Sequence, residues 1–514
     1  MIQKLPHLLW GGFLVLCCLC LLSACFSDDV YSTSASDRLY FSADSVKLDT
    51  VISGKATNTY TFEVYNRTDK AIRLPSVYLE KGAASGFRVN VDGVFLENGQ
   101  ATDLEVGAKD SLRVFLFANL PEHDSDQPIE ATDRLVFVTE GGVRQEVVLH
   151  AWGQDVIPLS AHRIKADTLL AARRPYVIID SLVVGAGATL SLAAGVRLYF
   201  HPQADLIVHG TLVAQGTADS PVVMRGDRLG YMFSSQPYDR IPGQWGSVIF
   251  TQESYGNRLM HCDIHSGTDG VRCDSSDTGG EKLRIENSII HNMSGNVLTV
   301  RSANIFAGNC QLTNAAGNCV ALYGGKSSFI HCTIGNFYAF SGGRGAALAY
   351  SNYEGEVRRP LEAATFINCL ITGYSEDEIM GNRSERYADD AFNFSFKSCL
   401  LDTPPTDDDH IQNCLWDNSE DGQGTERENN FSPKFDLNAL IFTFGLDAKS
   451  QAVDHADAAT SRDYYPRDLN GRDRLADEGP DIGCYELDKT VLREPSNRRQ
   501  STITNKQQHA HSSK

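Results

Sequence analysis

Apolar and polar positions alternate through the first part of the chain. YTFEVYN (60–66), DSLRVFLF (110–117), DRLVFV (133–138) and QEVVLHAWG (145–153) are apolar at every second position, the period of a strand with one buried face. The clusters NRTDK, DGV and TEGG separate them as turns. Short strands between regular turns predict an antiparallel β-sandwich over residues 37–156. From about Pro158 the strands shorten and glycines punctuate them. ATLSLAAGVRLYF (188–200) is followed by a loosely self-similar ADLIVHGTLVAQG (204–216), then by PVVM (221–224) and QWGSVIF (244–250). Such strands cannot bury a face alone, but stacked as a solenoid they share one continuous core. The chain is read as all-β, with the solenoid over residues 157–487.

A second pattern runs inside the solenoid. FINCLI (366–371) places a cysteine within an apolar run, and HCDI (261–264), HCTI (331–334), SCLL (398–401) and NCLW (413–416) do the same. Aligning the central residues gives Cys262, Asn287, Cys310, Cys332, Cys369, Cys399 and Cys414. The gaps are 25, 23 and 22 residues, then 37, 30 and 15. The first three approximate one turn of a three-sheet solenoid; the register is unsettled after residue 335. Two positions on, the residue is always apolar (Ile264, Ile289, Leu312, Ile334, Ile371, Leu401, Trp416), which puts the central residue on the core-facing side. Rungs stack about 4.8 Å apart, so the cysteines form a ladder, each acting as a small buried hydrophobe.

Other uses of these thiols fit less well. Of thirteen cysteines, nine follow Cys25, an odd number that cannot all pair. Neighbouring parallel rungs satisfy the separation of a disulfide without its dihedral. His261 and His331 sit beside cysteines, but adjacent strand residues face opposite sides. They are therefore expected in solvent, and neither a zinc site with His265 nor a Cys–His nucleophile is expected. Asp407-Asp408-Asp409-His410 offers oxygens to calcium but lacks a glycine-punctuated loop and follows Pro404-Pro405. It reads as a solvated loop, and no cofactor is expected.

Composition narrows the partners. Lys and Arg total 46 against 65 Asp and Glu, a formal charge of −19, which excludes a nucleic-acid partner and weakens long-range attraction of acidic polysaccharides. At the N-terminus, Lys4 precedes an apolar run from Leu8 to Leu22, then Leu22-Ser23-Ala24-Cys25. This pattern resembles the signal peptide (1–24) and lipobox of bacterial lipoproteins. That resemblance implies cleavage before Cys25, its lipidation with diacylglycerol and usually an acyl chain, and a stable membrane partner, since two or more chains hold firmly. The tether over 25–36 opens with Phe26-Ser27-Asp28-Asp29, similar to the acidic export signal of Bacteroidetes surface lipoproteins. The resemblance implies an outer-membrane anchor facing outward.

Three further resemblances bear on the folded part. YTFEVYNRTDKAIRL is similar to the opening of immunoglobulin-like domains of bacterial surface proteins, without a Cys…Trp…Cys core. GATLSLAAGV and DLIVHGTLVAQGT resemble the entry rungs of right-handed parallel β-helix proteins. DYYPRDLNGRDRLADEGPDIGCYE (463–486) resembles the closing segment of the choice-of-anchor Q group, with Cys484 where alanine is usual. It implies a cap in which Ile482 and Tyr485 cover the last rung. Residues 488–514 are polar and are read as a disordered tail.

Catalysis has thin support. Many β-helix proteins cleave polysaccharides, and the lyases among them need a basic residue beside a uronate. Arg258, Lys282 and Arg284 are read as sitting just before strands on successive rungs, a candidate basic stripe, although ordinary solvent-facing charge explains them better. Arg163-Ile164-Lys165 matches one segment of polygalacturonase-like hydrolases but falls ahead of the self-similar rungs that begin at Ala188 and is read as coincidence. The insertions offer more. One carries Tyr338, Arg344, Tyr350, Tyr353, Arg358 and Arg359, the next Tyr374, Arg383, Arg386 and Tyr387. Exposed aromatics beside arginine suit stacking on sugars or a protein hot spot; the competing reading packs them onto the helix wall. The function read from the sequence is non-catalytic binding of a glycan or a host or surface protein. The alternative is a polysaccharide lyase or hydrolase acting on uronate-containing glycans.

Overall fold

A computed structural model describes residues 31–233, 235–417 and 427–488. The expected signal peptide, Cys25, most of the tether and nearly all of the tail lie outside the described residues. The chain divides into two compact units after Gln154. Among the described residues no helix is long and apolar enough to cross a membrane.

The first unit is a β-sandwich of two five-stranded sheets. One runs Leu39–Phe41, Tyr60–Asn66, Ser111–Ala118, Phe87–Val91, Val94–Phe95; the other runs Ser45–Ile52, Arg144–Gln154, Ile129–Val138, Ser76–Leu79, Gln100–Ala101. The alternation read from the sequence points inward: Phe62, Val64, Val114 and Leu116 from one sheet meet Val77, Leu135, Phe137, Val147 and Leu149 from the other in one core. Ser45–Ile52 joins Arg144–Gln154 in parallel, an exception in a largely antiparallel unit.

The second unit is a parallel β-helix. Twenty-six strands from Ile157–Ile164 to Leu415–Trp416 form one continuous ladder, each paired in parallel with strands a rung away. The wall that matters for function contains Arg197–Phe200, Val222–Gly226, Cys262–His265, Ile289–Met293, Gln311–Ala315, Thr333–Asn336, Leu370–Gly373, Leu400–Leu401 and Leu415–Trp416. Inside, like stacks on like. Phe329, Phe366 and Phe396 pair in register, with successive ring centroids 4.9 Å apart and nearly parallel.

The cysteines face this interior. Cys262, Cys310, Cys332, Cys369 and Cys399 are buried, Cys414 is half-buried on the last rung, and all are free thiols. One member of the expected ladder is corrected. Pairing of Asp263 with Ile289, and of Ile289 with Gln311, puts Ser288 rather than Asn287 between Cys262 and Cys310. The inward aliphatic is accordingly Ile290, not Ile289. Asn287 occupies the corner one residue earlier, with a positive φ shared by His261, Asn309, His331, Asn368, Ser398 and Asn413. Asparagine tolerates that left-handed geometry better than most residues. The small residue after each corner has a further use. The Cys262 N–H donates to Ser288 Oγ at 3.0 Å, and that of Cys369 to Cys399 Sγ at 3.3 Å, so these corners are tied to the next by hydroxyl or thiol.

The closing segment is also corrected. It does not lie across the last rung; it docks along the outside of the wall. Leu370 and Leu400, which point outward, join Phe337, Phe431, Phe444, Ile482, Cys484 and Tyr485 in a second core. Tyr485 donates to Gln311 Oε1 at 2.7 Å, and Tyr465 to Glu286 Oε1 at 2.8 Å. Gly308 is required by this contact, because a Cβ there would stand 1.9 Å from the Tyr465 hydroxyl.

His331, expected in solvent, is fully buried beneath this segment. Its Nε2 lies 2.8 Å from Ser461 Oγ and 3.0 Å from Asn368 Nδ2, and its Nδ1 3.1 Å from the Gly483 carbonyl. Burial, reinforced by the Arg474 cation, holds the imidazole well below its usual range. A histidine depressed in the folded state stabilises above its unfolded value of about 6.5, and that contribution is lost as pH falls below it. The segment is therefore expected to loosen between about pH 7 and pH 5, read as rising amide exchange at residues 461–485. His331→Asn, a residue used at four equivalent corners, is expected to flatten that dependence; an unchanged profile would assign it to other groups.

Candidate functional site

The wall's outward face is where chemistry collects. Along Cys262–His265, Cys262 and Ile264 point in, so Asp263 and His265 point out. One rung on, His291 pairs with His265; one rung back, Arg225 occupies the position after Met224, which pairs with Ile264. Period two and rung register thus bring Arg225, Asp263, His265 and His291 together, although they span more than sixty residues of chain.

An insertion completes the cluster. Residues 227–244 leave the rung, form the hairpin Tyr231–Phe233 with Gln236–Pro237, and return through a short helical turn, Tyr238–Arg240. Ser266 Oγ donates to the Asp239 carbonyl at 2.6 Å, Asn292 Nδ2 to that of Arg240 at 3.3 Å, and the Arg240 guanidinium to the Ala439 carbonyl at 2.6 Å. The turn is thereby pinned over the wall. Beneath it, buried Trp245 stacks on Phe200 with centroids 4.3 Å apart and donates to the His265 carbonyl at 2.8 Å.

His265 is the centre. Its Nδ1 lies 2.8 Å from Asp263 Oδ1 and its Nε2 2.8 Å from Asp239 Oδ1. Asp263 Oδ1 also lies 3.3 Å from His291 Nε2, and Asp239 Oδ1 2.5 Å from an Arg225 nitrogen. The Arg225 guanidinium sits 5.6 Å from the Tyr199 ring centre, and that of Arg228 4.9 Å from Tyr238. The His265 side chain is 6% exposed, while those of His291, Asp263 and Asp239 are 24%, 34% and 42% exposed. Solvent therefore reaches the cluster from one side. Burial works against charge on His265, but the Asp263 charge and hydrogen bonds to Asp239 and Asp263 outweigh it and raise the imidazole to about 9. Burial likewise opposes ionisation of Asp263, and the two histidines overcome it, holding the carboxyl well below its usual range. Asp239 is also lowered, against its own burial, chiefly by His265. Both carboxylates are thus held ionised. Glycoside hydrolysis by paired carboxyls needs one kept protonated beside one ionised, and this pair is not split in that way.

The residues singled out in the sequence lie elsewhere. Arg258 and Arg284 do stack in register, but Arg284 is held by Glu281 at 2.6 and 2.9 Å and lies 4.1 Å from the Phe306 ring centre. Lys282 leaves the stripe altogether: it is fully buried, and its ammonium donates to the Thr251 carbonyl at 2.5 Å. Tyr338 and Tyr350, expected as exposed loop aromatics, are buried; Tyr350 packs against Phe392 and Phe394. Tyr374 packs edge-on to Phe337 beneath Arg344. Arg359 bonds Glu354 and Ser275, Arg358 pairs with Asp390, Arg386 with Glu356, and Tyr387 donates to the Glu356 carbonyl. Tyr353 is half-buried in a hairpin with Arg358. These side chains tie the insertions together. Asp408 is occupied by His410 at 2.6 Å, whose ring stacks on Phe394.

The sequence carried a signal for the true cluster. Asp263-x-His265 puts both side chains on one strand face. His291 follows His265 by 26 residues, the spacing from Cys262 to Ser288. Asp239 had no such signal, because it arrives from an insertion.

No known family model matches the chain. The protein bark beetle of Drosophila melanogaster is 39% identical over 72 residues, which are 14% of this chain and 2% of that protein. Among solved structures, pectate lyase Pel9A overlaps 65% of this chain and 88% of its own at 11% identity, with a TM-score of 0.26. The catalytic unit of a GH87 α-1,3-glucanase from Streptomyces thermodiastaticus overlaps 69% of this chain and 75% of its own at 13% identity, with a TM-score of 0.24. The PapD-like domain of human CEP192 overlaps 25% of this chain and 92% of its own at 11% identity, with a TM-score of 0.16. Overlaps this loose assign no activity, and the architecture rests on the strand register itself.

Proposed function

We propose that this is a lipid-anchored surface protein whose β-helix binds a glycan at the outer wall around Asp239, Asp263, His265 and His291. The N-terminal pattern ending in Cys25 supports an outer-membrane anchor facing outward, with the sandwich, read as immunoglobulin-like, as a spacer. The observation that carries the binding site is the partly open cluster of hydrogen-bonding groups beside the half-buried Tyr238. Charged and amide groups fix hydroxyls, and ring faces accept sugar faces. Two carboxylates against Arg225 and a histidine leave little net charge, which favours a neutral or mixed glycan over a polyuronate. Binding is favoured over cleavage because neither carboxyl of this cluster, Asp239 or Asp263, is held as a protonated acid opposite an ionised base, and Lys282 is sealed in main-chain contacts.

A glycan array read for both retention and product release tests this. Retention without products is expected, with at least about a tenfold loss of affinity in Asp263→Asn, since a hydrogen bond to a charged group is worth about 1.5–3 kcal/mol. A ligand retained equally by that variant would remove the site from the proposal. Unsaturated products lost in Arg284→Ala would establish the lyase alternative instead.

A further inference from the structure

We propose that Asp263, His265 and His291 form a binding site for one divalent transition-metal ion, zinc or an ion of similar preference, with Asp239 as the outer carboxylate that orients His265. The inference is independent of the glycan reading and is measured without any glycan.

The donor geometry comes first. One donor atom from each of Asp263, His265 and His291 lies within 4.8 Å of the other two. Metal–ligand bonds of about 2.0–2.2 Å place tetrahedral donors roughly 3.3–3.6 Å apart. Asp263 and His291 already stand at 3.3 Å, and Asp263 and His265 at 2.8 Å need only open slightly. The imidazole rings approach with centroids 5.0 Å apart and a tilt of 33°, so modest rotations bring the donors onto one point. Two imidazoles and one carboxylate suit borderline ions such as zinc and are a poor set for calcium or magnesium, which take oxygen ligands.

The surroundings supply what a metal-binding histidine needs. Such a residue usually donates its other ring N–H to a carboxylate, which fixes the tautomer. Asp239 Oδ1, 2.8 Å from His265 Nε2 and braced by Arg225, stands in that place. Nε2 faces Asp239 and Nδ1 faces the Asp263 carboxylate, each at 2.8 Å, and a metal ion bound between Nδ1 and Asp263 takes the place of the proton that hydrogen bond holds. The backbone is fixed as well, because Trp245 holds the His265 carbonyl and rung pairing holds His291. Three protein donors on one side, with solvent on the other, leave a further coordination position open to water or a ligand oxygen.

The test uses the full-length chain stripped with a chelator and titrated with zinc against a chromophoric competitor. One zinc per chain is expected. His291→Gln, at a partly exposed position, is expected to weaken binding at least about tenfold and leave the far-ultraviolet circular dichroism unchanged; Asp239→Asn is expected to weaken it about 10- to 100-fold. Cobalt(II) in place of zinc is expected to show ligand-field bands without thiolate charge transfer. Failure to take up zinc would overturn the proposal. So would uptake insensitive to His291→Gln and Asp263→Asn, which would place the ion on His509 and His511 of the tail, or a thiolate band, which would place it on the cysteines.

Discussion

Replacing Arg474 by alanine is expected to cost about 3–5 kcal/mol in the stability of the docked closing segment, the typical loss when one partner of a buried ion pair is removed. Arg474 is fully buried. It reaches Glu486 Oε1 at 2.5 Å and, through its other terminal nitrogen, Asn309 Oδ1 on the wall at 2.8 Å. The side chain therefore closes the segment on itself and fastens it to the β-helix. Without it, Glu486 is left in an environment that disfavours its charge: burial already pushes that carboxyl up to about 8 against the pull of Arg474. The loss should accordingly be largest above about pH 8 and smaller below it, where Glu486 takes a proton. It is measured as the opening free energy from amide exchange at residues 481–487, since a docked segment can open apart from the solenoid. The double variant Arg474→Met, Glu486→Gln is expected to recover much of the loss, because a neutral pair removes the stranded charge. Full stability in Arg474→Ala alone would mean that the segment is held by its apolar contacts.

Phe366→Ala is expected to cost about 3–5 kcal/mol, the usual range for removing a buried aromatic ring. Phe366 is the middle of three stacked rings, with near-parallel neighbours on both sides. Its strand pairs with a rung on each side, so neither can move in to fill the space. Stacked rungs interact with nearest neighbours, and the loss should be local: amides of strands 361–367 and 392–397 should exchange faster while those near Leu190 do not. Chemical denaturation of the full chain with exchange mapping distinguishes this from a uniform loss.

The sequence made the solenoid and its sulfur column legible because both depend on period two and on a repeat near one rung. It misplaced Asn287 for a physical reason. A corner residue and the first inward residue are both small and adjacent, and a slip of one reverses which face a side chain occupies. Ser288, as small as cysteine and able to accept the Cys262 N–H, was the better match. The docked closing segment was also visible in principle. CDI and CTI alternate, but CLI (369–371) and CLL (399–401) are apolar on both faces, which implies that those rungs are covered outside as well as inside. The half-site Asp263-x-His265 followed from strand spacing. Asp239 did not, because an insertion can return anywhere along the wall. Tyr338 and Tyr350 misled because aromatics that seal a loop to a wall have the same composition as aromatics offered to a ligand.

The claim on which the rest depends is that the interior of this wall is inert packing while its exterior carries the chemistry. Residue-resolved alkylation of the native chain, read by peptide mass spectrometry, tests it directly. Among the nine described cysteines, Cys414 is expected to react first, because Cys262, Cys273, Cys310, Cys319, Cys332, Cys369, Cys399 and Cys484 are buried and buried thiols are inert. All nine should react once the chain is unfolded without reductant. Rapid native labelling at Cys310, Cys332 or Cys369, or thiols that stay blocked after unfolding, would contradict the account.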